Sequence, residues 1–233
     1  MDRRTFLGAF AATTLSSCVS VGGMAGPPVP PPAFRVGDRW VYNARDGFRV
    51  AVTWEETHEV TAVSPAGIDV RVVLRGDTMN AVRMEHLLAA GMVASGAVFN
   101  PEETRNFVPP MERYRFPLTF GDRWTQNMQN FNPANGLQSQ INRFVEVGGY
   151  EQVTTPAGTF SAVRMRTLMS VDENNPFRWP FQCNYLTWWA PDVGAMVKEI
   201  KTATYRERGD GREGIDIRAQ NTTVELASFS RGG

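Results

Sequence analysis

Cysteine and histidine are scarce in this sequence, and their scarcity argues against two kinds of site. The chain has two cysteines, Cys18 and Cys183, and two histidines, His58 and His86. Two cysteines cannot supply a disulfide framework, and a zinc site needs at least three converging ligands. The sequence therefore predicts no metal site and no cofactor. We expect Cys183 to be a small buried apolar residue, because no histidine lies near it in sequence to activate a thiolate.

An excess of either charge is also lacking. The 24 Lys and Arg residues equal the 24 Asp and Glu residues in number, so nucleic acid is not an expected partner. The sequence contains no phosphate-binding loop, no glycine-rich dinucleotide fingerprint and no Ser-His-Asp order with a nucleophile elbow. Catalysis is therefore not favoured. An envelope hydrolase that uses carboxylates such as Glu55, Glu56 or Glu59 stays open as the alternative.

The N-terminal stretch has the features of a bacterial export signal. Arg3 and Arg4 precede an apolar stretch, residues 6–15, that is too short to span a bilayer as a permanent helix. The run "RRTFL" resembles the twin-arginine signal at both arginines and at Phe6 and Leu7. This resemblance implies twin-arginine export, with the general secretory route as the rival.

The end of this stretch, "LSSC", resembles the bacterial lipobox. The resemblance assigns Leu15, Ser16 and Ser17 as recognition positions and Cys18 as the residue that is acylated and becomes the mature N-terminus. Several acyl chains on one residue would anchor the protein stably in a membrane. Val19 stands where an aspartate would favour retention in the inner membrane, so the outer membrane, facing the periplasm, is favoured. A soluble signal followed by a free cysteine is the alternative.

The sequence divides into three parts. Residues 1–17 form the signal peptide, residues 18–33 the lipidated cysteine and a Pro/Gly tether, and residues 34–233 a β domain. The tether contains the run "PPVPPP", which favours extended polyproline II. We expect this tether to hold the domain off the membrane. A proline-rich ligand for another protein is the alternative reading.

Apolar residues recur at every second position over most of the chain from residue 34. In "GIDVRVVLR", for example, Ile68, Val70, Val72 and Leu74 share one face. This period is typical of half-buried strands. We expect an all-β fold with little helix, an antiparallel curved sheet or open barrel. The segment around Met84 to Met92 also fits helical spacing, but a hairpin turning near Gly91 is favoured over a short helix.

Two short motifs occur twice. "GDRW" and "PAG" each appear in both halves of the domain, which predicts two similar β-modules, about 34–110 and 111–233. The glycines allow tight turns, and the tryptophans are expected to fill core. A pair of ligand-stacking tryptophans is the functional alternative. The residues that carry the repeat are Gly37, Trp40, Gly121, Trp124, Pro156 and Gly158.

The stretches "FPLTFGDRW", "VTTPAGTFSAVRM" and "YLTWWAPDVGAMVKE" together resemble a group of bacterial exported proteins and lipoproteins with no assigned activity. The resemblance covers roughly residues 110–205, with a weaker echo in residues 34–75. It implies an antiparallel, curved or barrel-like β fold that faces the periplasm.

Aromatic residues crowd the stretch "FRWPFQCNYLTWWAP". Trp179, Tyr185, Trp188 and Trp189 are candidates for an apolar ligand groove, with core packing as the alternative. We therefore expect a lipid-anchored binding or envelope-assembly module with an unidentified ligand. Its expected partners are the membrane, through the N-terminal lipid, and an apolar ligand or another envelope protein.

Overall fold

The computed structural model of the protein describes residues 23–47, 50–208 and 215–233. Every residue predicted to direct export or lipidation, from Arg3 to Cys18, lies outside the described residues. The described chain is all-β, as the alternating pattern predicts. It includes no helix that is long and apolar enough to cross a membrane.

Twelve strands in the described chain pair in sequence order and close into an antiparallel barrel. Closure brings the two ends of the domain together, because Arg39 of the first strand pairs with Ser230 of the last. The barrel is thus closed rather than open. Its strands are β1 (Arg39–Asp46), β2 (Val52–Ser64), β3 (Gly67–Gly76), β4 (Asn80–Ala89), β5 (Met92–Gly96), β6 (Arg105–Glu112), β7 (Arg123–Phe131), β8 (Gln138–Thr155), β9 (Gly158–Asp172), β10 (Phe181–Ala190), β11 (Ala195–Arg206) and β12 (Asp216–Ser230).

The segment with mixed periodicity is a hairpin, as expected, and the rival helix is wrong. β4 ends at Ala89, β5 begins at Met92, and Gly91 has φ +83° between them. Only glycine adopts this backbone conformation without strain. A Cβ at Gly91 would also lie 2.3 Å from the carbonyl oxygen of Tyr114. The turn and the chain that passes beside it therefore both require glycine.

The barrel has two ends, and we name them by what lies there. The loop end carries the connections after β1, β3, β5, β7, β9 and β11. The strap end carries the other connections, together with residues 23–33, which we call the strap. At this end the strap bridges Leu118 in the β6–β7 connection and Tyr150 of β8.

The strap is docked on the barrel, and that the N-terminal segment holds the domain off the membrane stays a prediction. Val29 is 2% exposed, and its amide and carbonyl both hydrogen-bond to Leu118, at 3.0 and 2.9 Å. Met24 makes the same pair of bonds with Tyr150, whose hydroxyl also donates to Pro27. The proline run lies against the barrel, because Val29 packs in a buried apolar cluster there.

The two "GDRW" segments adopt the same local geometry. Gly37 has φ +89° and Gly121 φ +86°, and their amides donate to Val60 and Val147 at 2.8 and 3.0 Å. The tryptophans that follow are 4% and 5% exposed and pack in the interior. The segments begin β1 and β7, which are six strands apart around the barrel. That the whole halves are copies of one module stays a prediction.

Asp38 differs from its counterpart Asp122, because Asp38 is buried whereas Asp122 is exposed. Its side chain is fully buried and accepts hydrogen bonds from the amides of Arg35 and Gly232, each at 2.9 Å. The guanidinium of Arg231 lies 3.3 Å away. Asp38 thus fastens the C-terminal residues to the start of β1.

Candidate functional site

The lumen of the barrel is lined by charged as well as apolar side chains. On β2, β4 and β11 the positions that alternate inward include Glu56, Glu85 and Lys201. Desolvating charged groups costs energy that an apolar filling would not. The lumen therefore contains a buried group of charged side chains as well as apolar ones. The lumen network, as we call it, consists of Glu56, His58, Arg83, Glu85, Arg113, Glu199 and Lys201.

Glu56 is held by two neighbours on its own strand. Its Oε1 accepts a hydrogen bond from Trp54 Nε1 at 2.9 Å, and its Oε2 lies 3.1 Å from His58 Nε2. Burial alone would raise the pKa of Glu56, but the contact with His58, the charge of Lys201 and the Trp54 bond together lower that pKa to about 2. Glu56 is therefore ionised at neutral pH.

Glu85 joins two arginines. Arg83 Nη1 donates to one of its oxygens at 2.6 Å and Arg113 Nη1 to the other at 2.9 Å. Burial opposes ionisation, but the charges of Arg113 and Arg83 outweigh it and hold the pKa of Glu85 well below its usual range. Arg83 also donates to the carbonyl of Pro101 at 2.8 Å. This triad thus links the lumen to the β5–β6 loop.

Glu199 and Lys201 complete the network on β11. Lys201 Nζ lies 2.8 Å from Glu199 Oε2, and Thr187 Oγ1 donates to Oε1 at 3.1 Å. Burial would lower the pKa of Lys201, but the charges of Glu199 and Glu56 raise it, so Lys201 is protonated. Each oxygen of the three lumen carboxylates therefore accepts a hydrogen bond.

Two small cavities lie on either side of the network. The polar chamber, about 110 Å³, extends toward the loop end, where Phe99 and Pro101 line it. The apolar chamber, about 90 Å³, extends toward the strap end, between Trp40, Leu87 and Trp189. Five side chains line both chambers and separate them: His58, Glu85, Arg113, Tyr114 and Met196.

Arg143 is a buried cation of a different kind. It alternates with Ile141 and Val145 on the inner face of β8 and is 6% exposed. Its Nη1 donates to the carbonyl of Glu112, whereas its Nε has no hydrogen-bond partner within the described chain. Burial and the nearby charge of Arg113 lower the pKa of Arg143 to about 10. It remains charged at neutral pH.

The four predicted groove residues do not share one surface. Tyr185 and Trp189 face the lumen, where Tyr185 lines the polar chamber and Trp189 the apolar chamber. Trp188 lies on the outer face beside Arg164 and donates to Glu151 at 2.8 Å. Trp179, 54% exposed, precedes β10 and stacks with Arg208. Alternation along β10 separates neighbouring side chains, so one outer groove does not form.

The histidines and predicted carboxylates are also separated. Only Glu56 of the three candidate carboxylates lines the polar chamber, because Glu55 and Glu59 alternate with it on β2. His58 lies inside the lumen beside Glu56. His86 pairs with Asp69 at 2.7 Å outside it.

Cys183 is 4% exposed, and burial raises the pKa of its thiol to about 11. Within the described ranges no three His, Cys, Asp or Glu side chains group as a metal site would require.

Sequence reasoning missed Arg83, Glu85, Arg113, Glu199 and Lys201. A usable signal was present, because Arg83 and Glu85 have the same parity on β4 as the buried Leu87. The opposite parity holds Val82 and Met84, which are 68% and 44% exposed. A rule that turns the more apolar face inward would therefore place Val82 and Met84 in the lumen, which is the wrong side of β4.

Comparison with solved structures supports the fold. A protein from Bacteroides fragilis, provisionally described as an exported protein with a YmcC-like fold, matches at a TM-score of 0.55 and 14% identity, over 89% of this chain and 100% of its own. A protein from Parabacteroides distasonis, provisionally described as a lipoprotein, matches at 0.54 and 13%, over 87% and 98%. At this identity the likeness establishes a common fold. No protein-family model and no curated relative match the chain.

Proposed function

We propose that the protein is a lipid-anchored binding module of the bacterial envelope and that the lumen of its barrel is the ligand chamber. The observation that carries this proposal is the lumen network beside two cavities. Buried charges are retained at a cost in desolvation, and perturbed ionisable groups around a cavity are typical of functional sites. A barrel that needed only stability would be better filled by apolar side chains.

The anchoring part of the proposal comes from the leader. "LSSC" has the lipobox pattern around Cys18, and the twin-arginine pattern precedes it. The two structural relatives are described as exported and as a lipoprotein, which is consistent with an envelope location for this chain. We propose twin-arginine export and attachment to the outer membrane on its periplasmic side. The doubled "GDRW" and "PAG" motifs fit an origin of the barrel from two similar six-strand halves.

Two other functions are less well supported. A hydrolase that uses a carboxyl group as general acid needs that group to hold a proton near neutral pH, whereas the lowered pKa values of Glu56 and Glu85 keep both ionised. An assembly partner that adds a strand needs a free sheet edge. The twelve described strands each have a partner on both sides.

Extraction of the protein from its native membrane tests both parts of the proposal. We expect the N-terminal peptide to begin at an acylated Cys18 and a Cys18→Ala variant to leave the membrane fraction. We also expect a small molecule to co-purify with the barrel and to be released on unfolding. An unacylated N-terminus would refute the anchor, and an empty barrel from native membranes would refute the ligand chamber.

A further inference from the structure

The two "GDRW" segments each follow an apolar residue that faces solvent at the strap end. Val36 precedes the first segment and Phe120 the second, and they are 55% and 51% exposed. Each is followed three residues later by an exposed arginine, Arg39 and Arg123. Because the segments begin β1 and β7, which are six strands apart around the ring, these two pairs lie on opposite sides of the strap-end rim.

Further apolar side chains are exposed around the same rim. They lie in the strap, in the connections at this end or within two residues of such a connection, and exposed apolar groups that cluster are typical of an interaction surface. The exposed acids Asp122 and Asp192 lie at this end too, so the surface suits a membrane interface rather than the hydrocarbon beneath it. The exposed large apolar residues of this end in the described chain are Met24, Val36, Val63, Leu88 and Phe120.

The short chain before the strap limits how far this end can lie from a lipid anchor. Cys18, the proposed site of acylation, precedes Gly23 by five residues. Even a fully extended chain advances at most about 3.5 Å per residue, so five residues reach about 17 Å. The next residue, Met24, is already fastened to Tyr150 by two backbone hydrogen bonds. The anchor therefore holds the strap end close to the bilayer.

The loop end is beyond the reach of this chain. β3 and β10 are each ten residues long, and at about 3.3 Å per residue and a tilt of about 40° such strands extend about 25 Å along the barrel axis. The loop end also exposes apolar side chains, including Phe177 and Ile215. Contact between these side chains and the membrane would require a longer chain than the one that joins Cys18 to the strap.

Resting on the proposed lipid anchor, we infer that the strap end is a membrane-docking surface, with Val36 and Phe120 in the interfacial region of the bilayer and Arg39 and Arg123 beside the lipid phosphates. A lipid anchor combined with a protein contact holds a protein more firmly than either alone. The long arginine side chains can reach phosphates while their stems cover apolar surface. The barrel then stands on this end rather than being held off the membrane, and the apolar chamber is the cavity nearer the bilayer.

Fluorescent labels on single introduced cysteines measure which surface touches the membrane. The acylated full chain is reconstituted into vesicles of phosphatidylethanolamine and phosphatidylglycerol that contain a lipid spin-labelled near its headgroup. Cys18 is acylated in this preparation and Cys183 is buried, so neither competes for the label. The labelled variants are Val36→Cys and Phe120→Cys at the strap end, Phe177→Cys at the loop end and Val108→Cys on the outer face of β6.

We expect the spin-labelled lipid to quench the labels at positions 36 and 120 at least about threefold more than those at 108 and 177, because an interfacial contact extends only about 5–10 Å into the bilayer. Val108 and Phe177 are 69% and 78% exposed. Random collisions with vesicles would therefore favour the two control positions, opposite to the expected result.

A double variant tests whether the apolar side chains make the contact. With the label on Leu88→Cys, the pair Val36→Asp and Phe120→Asp should lower quenching by about twofold or more, because aspartate is unfavourable in a bilayer. The pair Val108→Asp and Phe177→Asp is the matched control and should leave quenching unchanged. The lipid anchor keeps all these chains on the vesicle. Thermal unfolding checks that each variant folds.

The outcomes separate this inference from the function on which it rests. Stronger quenching at position 108 or 177 than at 36 and 120 would overturn the docking surface, and so would absence of quenching at all four positions. Unchanged quenching in the Val36→Asp and Phe120→Asp pair would overturn the role of these side chains. The acylated anchor would stand in each case. An unacylated N-terminus in the native extraction would overturn the anchor and the docking surface together.

Discussion

At the scale of single residues, the ionised form of Glu56 stabilises the folded protein to an extent that depends on pH. Its pKa of about 2 in the folded protein lies below the ordinary glutamate pKa of 4.5. The stabilisation is therefore complete above the unfolded pKa and is lost as the pH falls from about 4.5 toward 2. The full difference corresponds to about 3 kcal/mol as an order of magnitude.

We expect Glu56→Gln to be less stable than the wild type at pH 7 and to lose less stability on acidification. Urea unfolding at pH 7, 4.5 and 3 measures both effects. Glu55→Gln is the matched control, because Glu55 is the exposed neighbour on the other face of β2. Parallel pH profiles for Glu56→Gln and the wild type would show that Glu56 is not held ionised by the lumen.

A second prediction at this scale concerns Gly121. Its φ of +86° belongs to the left-handed region, and a Cβ there would meet no atom within 4 Å. Gly121→Ala should therefore cost only backbone strain, about 1 kcal/mol. Gly121→Asn should cost less, because asparagine tolerates this conformation. Thermal unfolding of the pair measures the difference, and equal stability of Ala, Asn and Gly would contradict the role of the turn.

At the scale of elements, the strap is the part whose contacts are easiest to test. Val29→Ala removes buried methyl groups at about 0.8 kcal/mol each and should cost about 1–2 kcal/mol. It should also accelerate hydrogen exchange at the amides of residues 29 and 118, which bond to each other's carbonyls. Val36→Ala is the control, since Val36 is 55% exposed. Unchanged exchange at both amides would mean that the strap is not docked in solution.

Most of the strands could be predicted from the sequence, because alternation is a local property. β3 is an example, since Val70, Val72 and Leu74 are buried as their period predicts. The turn at Gly91 followed from the glycine between two strand-like segments. Closure could not be predicted, because it rests on pairing between β1 and β12, and alternation says nothing about which distant strands meet.

The candidate site was harder to predict from the sequence than the strands. Hydrophobic patterning assumes that apolar side chains face inward, and β4 reverses this with Arg83 and Glu85 inside and Val82 outside. The docking of the strap could not be predicted for a related reason. Its prolines favour an extended chain, but the surface that buries Val29 is built from Leu118, Trp189 and other residues distant in sequence.

At the scale of the whole molecule, strand pairing stabilises the barrel and leaves its lumen for the proposed function. Backbone pairing around the complete ring leaves the described strands without a free edge. The lumen can then hold charged groups such as Glu85 and Arg113 instead of a purely apolar filling. The same ring brings the strap and the C-terminal Arg231 to one end, where the chain would leave toward the proposed membrane anchor.

The central claim is that this lumen holds a ligand, and native mass spectrometry of the protein released from its own membrane tests it most directly. The account predicts a mass above that of the acylated chain by one small molecule, which is lost on unfolding. A wild-type mass equal to that of the acylated chain alone, under conditions that preserve the fold, would contradict it.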